Sequence, residues 1–270
     1  MASSCTSAVR TDGIAVLTID QADSRVNVLT GALWADLETA IAALAGRPNV
    51  KGLVLASAKS GTFIAGADLK LLGNAPSPND SAVRAFIELG RRVLETLESL
   101  PFPTCAAIDG AALGGGLEVA LACDIRAVGQ NPKVSLGLPE VKLGLIPGWG
   151  GTQRLPRIIG WEAGARMISS GEPIAAAEAV RLGLAFDGGS DPVAAACACL
   201  IQVDREKERQ RKRDPLPMST AVREALTVMA AGAPRPLPEA IALETEAFLR
   251  LAGSPESKRL IGEFFASRKK

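Results

Sequence analysis

Short apolar runs alternate with helical periodicity through the first two-thirds of this 270-residue chain. Residues 13–20 and 52–56 are apolar runs of strand length, and between them apolar residues recur at helical spacing over 31–45. A second helical pattern, over 83–100, precedes the apolar run 105–108. This order of strand, helix, strand, helix and strand predicts an α/β fold in which helices cover parallel strands.

From residue 160 onward the strand pattern ends and helical periodicity takes over. Helical patterns cover residues 163–169, 174–182, 218–231 and 238–251. Ser254 followed by Pro255 predicts the N-cap and first position of a last helix that runs to about residue 267. We therefore predict a core over residues 1–200 and a helical region over residues 201–270, of a kind that packs against a partner subunit.

The charges of the chain are almost perfectly balanced. There are 30 basic and 29 acidic residues, which give a formal net charge of +1. Such a balance creates no overall field that would attract nucleic acid or an acidic membrane surface. The run 205–213 is rich in arginine and lysine, but glutamates are mixed into it and no aromatic residues interleave. We interpret this run as a solvated helix end or connecting loop and predict no nucleic-acid partner.

The sequence predicts no membrane span, no secretory signal and no metal site. No apolar run reaches the roughly 18 residues that a span needs, and residues 1–12 lack the apolar segment of a signal. The five cysteines are Cys5, Cys105, Cys123, Cys197 and Cys199. They form no CxxC pair, and the chain has no histidine to complete a zinc site. Reduced thiols in apolar surroundings predict a cytoplasmic protein.

Two glutamates in glycine- and proline-rich segments are the strongest candidates for chemistry. Because the chain has neither histidine nor tyrosine, a proton moved near neutral pH must be carried by a carboxylate, a cysteine or a lysine. Glycines 114–116 follow a strand and open a helix, where free N–H groups stabilise an anionic oxygen. Glu118 lies one turn into that helix, and Glu140 precedes the glycine-rich turn 147–151.

Each glutamate also has a purely structural interpretation. Glu118 would be a favourable charge at a helix start, and Glu140 would cap the turn that follows Pro139. Both residues, however, lie in apolar runs, where a carboxylate without a function is costly. This cost favours a pair of catalytic carboxylates.

Four segments together resemble the enoyl-CoA hydratase/isomerase (crotonase) superfamily. They are residues 25–29, 65–70, 111–124 and 138–156, the third containing Gly-Gly-Gly-Leu-Glu and the fourth Leu-Pro-Glu-Val. The resemblance covers residues 13–267. It implies a spiral of ββα repeats with a helical C-terminal trimerisation region. It also implies a homotrimer, or a hexamer built as a dimer of trimers.

The resemblance further implies roles for individual residues. The N–H groups of Ala67 and Gly115 form an oxyanion hole for the thioester oxygen, and Glu118 and Glu140 are the acid/base pair. The residues that it implies for binding the substrate and its coenzyme A portion are Ala65, Ala67, Asp68, Leu69, Lys70 and Gly115. No metal or redox cofactor is required, since coenzyme A is part of the substrate. Further candidates for an apolar pocket are Leu71, Leu72, Leu143 and Trp149, of which Trp149 fits a core position equally well.

Retention of both glutamates favours a hydratase that adds water to a trans-2-enoyl-CoA in fatty-acid β-oxidation. The alternatives are a Δ3,Δ2-enoyl-CoA isomerase or dual enzyme, and a non-catalytic module that binds acyl-CoA or RNA. Residues 25–29 and 251–270 are similar to the hydratase half of multifunctional fatty-acid oxidation α-subunits. The resemblance therefore implies either a free-standing relative or a piece of such a protein, with a 3-hydroxyacyl-CoA dehydrogenase as a possible partner.

Overall fold

Two sheets form the framework of the computed structural model, which describes residues 3–74, 80–213, 220–252 and 254–259. Within those residues one sheet has six strands, which run in the order β1 (Cys5–Val9), β2 (Ile14–Ile19), β3 (Gly52–Ser57), β5 (Thr104–Ile108), β7 (Ile125–Val128) and β10 (Phe186–Asp187). The second has four strands, in the order β4 (Gly61–Ile64), β6 (Gly110–Leu113), β8 (Ser135–Gly137) and β9 (Ile174–Ala175).

From β3 to β8, successive strands alternate between the two sheets. β3, β5 and β7 pair in parallel in the first sheet, and the strands that follow them, β4, β6 and β8, pair in parallel in the second. Only the outer pairs β1–β2 and β8–β9 are antiparallel among the described residues. Each repeat therefore gives one strand to each sheet before a helical segment begins. This confirms the predicted α/β class and the spiral of ββα repeats.

The helices follow the strands in a regular order. Those before residue 215 are α1 (Gly31–Ala45), α2 (Leu69–Gly73), α3 (Ser81–Ser99), α4 (Gly115–Ala122), a 3-10 helix (Pro139–Leu143), α5 (Gly151–Ile159), α6 (Trp161–Ser170), α7 (Ala176–Arg181), α8 (Pro192–Leu200) and α9 (Arg205–Arg213). The helix predicted over 31–45 is α1 itself, since Thr30 caps it and accepts the N–H of Leu33 at 3.1 Å.

The core lies between the sheets and the helices that cover them. α1 buries five apolar side chains, which are Leu33, Trp34, Leu37, Ile41 and Leu44. Burying one such side chain stabilises the fold by about 1.5–3 kcal/mol. α3 contributes Phe86, Val93, Leu94 and Leu97 to the same core. α3 ends before Pro101, because the residue that precedes a proline is disfavoured in the helical region.

Two short strands contradict the prediction that no strand follows residue 160. β9 occupies the start of the helix predicted over 174–182, so α7 begins only at Ala176. β10 adds Phe186 and Asp187 to the edge beside β7. A two-residue strand is too short to show a period, and its pairing comes from a distant sheet edge. Local sequence therefore does not reveal it.

The basic run 205–213 forms α9, and only part of it is the solvated surface that its composition predicts. Arg209 is buried, and its Nε donates to Asp124 Oδ1 at 2.9 Å. Lys212 is partly exposed as a residue, but its ammonium is shielded from water and donates to main-chain carbonyls such as that of Cys123. Arg211 donates to the carbonyl of Ile158. The prediction of a solvated run is therefore wrong for Arg209 and for the ammonium of Lys212, whereas Arg211 is exposed.

The chain divides into two compact units, Met1–Pro215 and Leu216–Lys270. In the second unit α10 (Thr220–Gly232) packs against α11 (Leu237–Leu251), and Arg250 pairs with Glu224 at 2.8 Å. The patterns over 218–231 and 238–251 thus predicted two helices correctly, although residues 218 and 219 lie outside the described residues. Residues 255–259 are helical after Ser254, whose Oγ accepts the N–H of Ser257. The rest of that predicted helix lies outside the described residues.

Candidate active site

One cavity of about 270 Å³ brings four separate chain segments together. The segment after β4, one face of α3, the start of α4 and the chain from the 3-10 helix to Trp149 all line it. Its lining includes Ala67, Gly115, Glu118 and Glu140. The predicted oxyanion-hole residues and both predicted catalytic glutamates therefore share a single cavity.

The orientation of the Ala67 N–H follows from its peptide. The carbonyl of Gly66 accepts the N–H of Leu29 at 2.8 Å, and the carbonyl of Leu29 accepts the N–H of Asp68 at 3.0 Å. Because the peptide between Gly66 and Ala67 is trans, its N–H points opposite to its carbonyl. The N–H of Ala67 is therefore directed away from Leu29.

Gly115 presents its N–H at the first turn of α4. The carbonyl of Gly114 accepts the N–H of Glu118 at 3.1 Å, so the N–H of the same peptide, on Gly115, points out of the helix end. Gly114 has φ +53° and ψ −128°, which an L side chain rarely adopts. A Cβ at Gly115 would also lie 2.5 Å from the Trp149 ring. Glycine at both positions lets the backbone reach the cavity.

Glu118 is a buried carboxylate that accepts two hydrogen bonds through one of its oxygens. Only 1% of the residue is exposed, and its Oε1 accepts the N–H groups of Trp149 and Gly151, each at 2.7 Å. Burial raises its pKa to about 7, an effect that the two N–H donors oppose and the nearby Glu140 charge reinforces. A carboxyl poised near neutrality is suited to take up or release a proton.

Glu140 lies in the first turn of the 3-10 helix, beside the start of α4. Its Oε2 is buried and has no hydrogen-bond partner among the residues that the structure describes. A Cβ at Gly114 would lie 3.0 Å from its Oε1, so the absence of a side chain there leaves room for this carboxylate. Burial raises the pKa of Glu140. An unpaired buried oxygen of this kind favours the protonated form.

The residues predicted to bind the substrate divide into two groups. Ala65, Ala67, Leu69 and Gly115 line the cavity. Asp68 instead caps α2, since its Oδ1 accepts the N–H groups of Lys70 and Leu71 at 3.0 and 3.4 Å. Asp68 and Lys70 lie on the segment that borders the cavity but are not among the lining residues.

The rest of the cavity wall is apolar. It is formed by Leu72, Val83, Ile87, Leu113, Leu143, Leu145 and Ile146. Trp149 serves both of its predicted purposes, because it lines the cavity while packing edge-on against Trp34 and Phe86. Leu71 packs against the hydrophobic core and is not among the residues that line this cavity.

The N–H donors to Glu118 were not evident from the sequence. They belong to Trp149 and Gly151, in the glycine-rich turn that the sequence analysis associated with Glu140 rather than with Glu118. The indole Nε1 of Trp149 donates to the carbonyl of Ile87 at 3.0 Å, which anchors the turn against α3. The closely spaced glycines were the available signal, because they permit main-chain N–H groups to approach a ligand or side chain.

Two kinds of feature are absent from the described part of the chain. Across residues 3–74, 80–213, 220–252 and 254–259, no three His, Cys, Asp or Glu side chains come together as a metal site. In the same residues no helix combines the length and the apolar character needed to cross a bilayer.

A ββα spiral with one cavity lined by Ala67, Gly115 and two glutamates is the arrangement of the crotonase class. Residues 10–269 match the family model described as enoyl-CoA hydratase/isomerase, and the chain belongs to that family.

Solved structures with a similar fold cover nearly the whole chain. An enoyl-CoA hydratase from Bacillus anthracis is 30% identical, with a TM-score of 0.65 over 99% of this chain and 97% of that chain. DspI of Pseudomonas aeruginosa is 27% identical, with a TM-score of 0.64 over 98% and 95%. An enoyl-CoA hydratase from Thermoplasma volcanium GSS1, at 21% identity and a TM-score of 0.66 over 97% of each chain, shows the fold.

Proposed function

We propose that this protein is an enoyl-CoA hydratase that adds water across the trans-2 double bond of an enoyl-CoA thioester in fatty-acid β-oxidation. The observation that carries the proposal is that Glu118, Glu140 and the N–H-bearing residues Ala67 and Gly115 line one cavity. Its apolar walls suit an acyl chain, and enoyl-CoA hydratases are among the proteins of this fold that the chain resembles.

The chemistry begins at the thioester carbonyl. As the oxygen of water bonds to the β-carbon, the electron pair of the double bond moves toward the thioester oxygen. The N–H groups of Ala67 and Gly115 stabilise the resulting enolate-like oxyanion, and one such donor is typically worth about 10²–10³-fold in rate. The carbonyl is restored when the α-carbon takes up a proton.

The two glutamates divide the proton transfers. Glu118, fixed through Oε1 by two N–H donors, orients the water and accepts its proton. Glu140, whose buried Oε2 lacks a partner in the described residues, holds the proton that is delivered to the α-carbon. One acid/base group contributes about 10²–10⁴-fold. This route uses no metal or redox cofactor, and coenzyme A enters only as part of the substrate.

The test is the loss of enoyl-thioester absorbance with crotonyl-CoA and a longer trans-2-enoyl-CoA. Wild type should hydrate at least one of them, and Glu118→Gln and Glu140→Gln should each fall about a hundredfold or more. Glu178→Gln is the matched control, because Glu178 is a surface residue paired with Arg181. A wild type that binds CoA esters without hydrating either substrate would exclude the hydratase.

The orphan oxygen of Glu140 favours a second candidate activity, a Δ3,Δ2-enoyl-CoA isomerase or a dual enzyme. A single carboxyl can carry a proton between two carbons of the acyl chain. A trans-3-enoyl-CoA substrate distinguishes the two activities. If Glu118→Gln abolishes hydration but retains isomerisation, Glu140 alone moves protons and the enzyme is dual.

The assembly and location that we propose follow from the family. We expect a homotrimer or hexamer in the cytoplasm, with the 3-hydroxyacyl-CoA product passing to a dehydrogenase. Sedimentation velocity of the purified chain distinguishes monomer, trimer and hexamer.

A further inference from the structure

A single guanidinium links α3 to the turn that holds Glu118. Nε and Nη2 of Arg154 donate to the two carboxylate oxygens of Glu98, at 2.8 and 2.7 Å, while Nη1 donates to the carbonyl of Trp149 at 2.5 Å. Only 17% of the Arg154 side chain is exposed. A bidentate pair of this kind fixes the plane of the guanidinium and therefore the direction of its third contact.

That third contact acts on the donors to Glu118. The N–H of Trp149 and the N–H of Gly151 both bind Glu118 Oε1, and the carbonyl that Arg154 holds belongs to Trp149. The N–H groups of the turn therefore contact Glu118, and the Trp149 carbonyl of the same turn contacts Arg154. The main chain between the two donors cannot rotate without breaking one of these contacts.

Gly150, between the two donors, is shaped to accept this arrangement. It has φ +95°, and its carbonyl accepts the N–H of Arg154 at 2.8 Å. A Cβ at this position would collide with Nη1 of Arg154. Glycine at residue 150 thus allows the positive φ of the turn and leaves room for the Arg154 guanidinium.

We propose that Arg154, clamped by Glu98, is a positioning residue that holds the turn Gly148 to Gly151 so that two N–H groups converge on Glu118. This inference rests on the proposed function, because it gives Arg154 the role of positioning Glu118, the proposed base of the hydration reaction. Arg154 does not line the cavity, so it acts through the turn and through its charge.

The consequence for Glu118 is electrostatic as well as geometric. The charged groups that act on its carboxyl are Glu140, which raises its pKa, and Arg154, which lowers it. Removing Arg154 leaves the repulsion from Glu140 and loosens both N–H donors. Each change favours the protonated carboxyl. Glu118 should therefore titrate at a higher pH in variants that lack the guanidinium.

The test measures Glu118 directly, without substrate. The protein is labelled with glutamate carrying ¹³C at the side-chain carboxyl, and the Glu118 signal is assigned by its loss in Glu118→Gln. In Arg154→Met the titration midpoint of this signal should rise by at least about 0.5 pH unit. Arg157→Met is the matched control, since Arg157 lies one turn further along α5 and, within the described residues, its side chain bonds to Gln153 alone. It should leave the midpoint within about 0.2 pH unit of wild type.

Arg154→Lys is a second variant that keeps the proposal testable if Arg154→Met does not fold. A lysine keeps the charge but cannot bind Glu98 through two nitrogens and the Trp149 carbonyl together. Its midpoint should lie between those of wild type and Arg154→Met. If Arg154→Met does not fold, an Arg154→Lys midpoint equal to that of wild type would overturn the proposal. A shift in Arg157→Met as large as that in Arg154→Met would also overturn it.

Kinetics supply the second arm of the test. In Arg154→Met kcat for hydration should fall about tenfold or more while KM changes little, and the acidic limb of the pH profile should move with the midpoint. An unchanged kcat and limb in the folded variant would contradict the proposal. If wild type hydrates no substrate, the proposed function fails, whereas the carboxyl titration still decides whether Arg154 positions Glu118.

Discussion

The ammonium nitrogen of Lys212 lies 2.7 Å from the carbonyl oxygen of Cys123, at the opposite end of α4 from Gly115. The same Nζ also donates to the carbonyls of Ala122 and Leu121, at 3.1 and 3.2 Å. These carbonyls end the helix and have no partner within it, and a cation there is favoured by the helix dipole. α9 thus completes the helix that carries Glu118.

We expect Lys212→Met to destabilise the protein. Three contacts to main-chain carbonyls are lost together. The carbonyl of Cys123 keeps a donor in Arg126, but those of Leu121 and Ala122 lose the ammonium. Leaving such acceptors without donors is costly, so the free energy of unfolding should fall by about 2–4 kcal/mol. Urea denaturation measures this change. Lys207→Met on the exposed side of the same helix is the control and should stay within about 0.5 kcal/mol of wild type. An equal loss in both variants would show that Lys212 contributes no more than a surface lysine.

Glu118→Gln should stabilise the fold at alkaline pH. The pKa of Glu118 rises from its ordinary 4.5 to about 7 on folding, chiefly through burial. Between those two pH values the folded state binds more protons than the unfolded state, so the free energy of unfolding falls as pH rises through this window. The neutral amide carries no such penalty. At pH 8 we therefore expect a gain of about 1–3 kcal/mol over wild type.

The measurement is urea denaturation of both proteins from pH 4.5 to 8. The difference in stability should grow across the window and then level off above pH 7, where the carboxyl is ionised in both states. A difference that does not change with pH would mean that the Glu118 carboxyl titrates at its ordinary value.

The rate of hydration should fall as the pH is lowered below about 7. Glu118 must be ionised to accept the proton of water, and its pKa is raised to about 7. The value of kcat/KM should therefore fall by about tenfold per pH unit well below pH 7. Initial rates with crotonyl-CoA between pH 5 and 9 test this. A profile that remains flat down to pH 5 would remove Glu118 as the base.

Gly116→Ala should impair both stability and activity. A Cβ at Gly116 would collide with the carbonyl of Ile64, at the end of β4, so α4 must move away from the sheet. This shift carries the Gly115 N–H with it, and small displacements of an oxyanion donor cost about a hundredfold in rate. Urea denaturation and crotonyl-CoA hydration report the two effects. Gly31→Ala is the control, because nothing lies within 4 Å of its added Cβ.

Local patterns were sufficient for the elements that frame the site. The helical period over 31–45 predicted α1, and glycines 114–116 correctly predicted a helix start with Glu118 one turn inside. Both features depend on a few neighbouring residues, since helical spacing and positive φ angles are local properties of the chain. The two-residue strands β9 and β10 were missed because their pairing comes from sheet edges far along the chain.

By itself the sequence determined the α/β framework, the pair of glutamates and the glycines that expose N–H groups beside them. Only the tertiary structure decided what surrounds Glu118, because its donors lie 31 and 33 residues away and Arg154 reaches their turn from α5. It also decided that Arg209 is buried against Asp124, 85 residues away, in a run that reads as solvated. Hydrogen-bond partners and desolvation depend on neighbours in space, and neighbours in space are set only when the helices and sheets have packed.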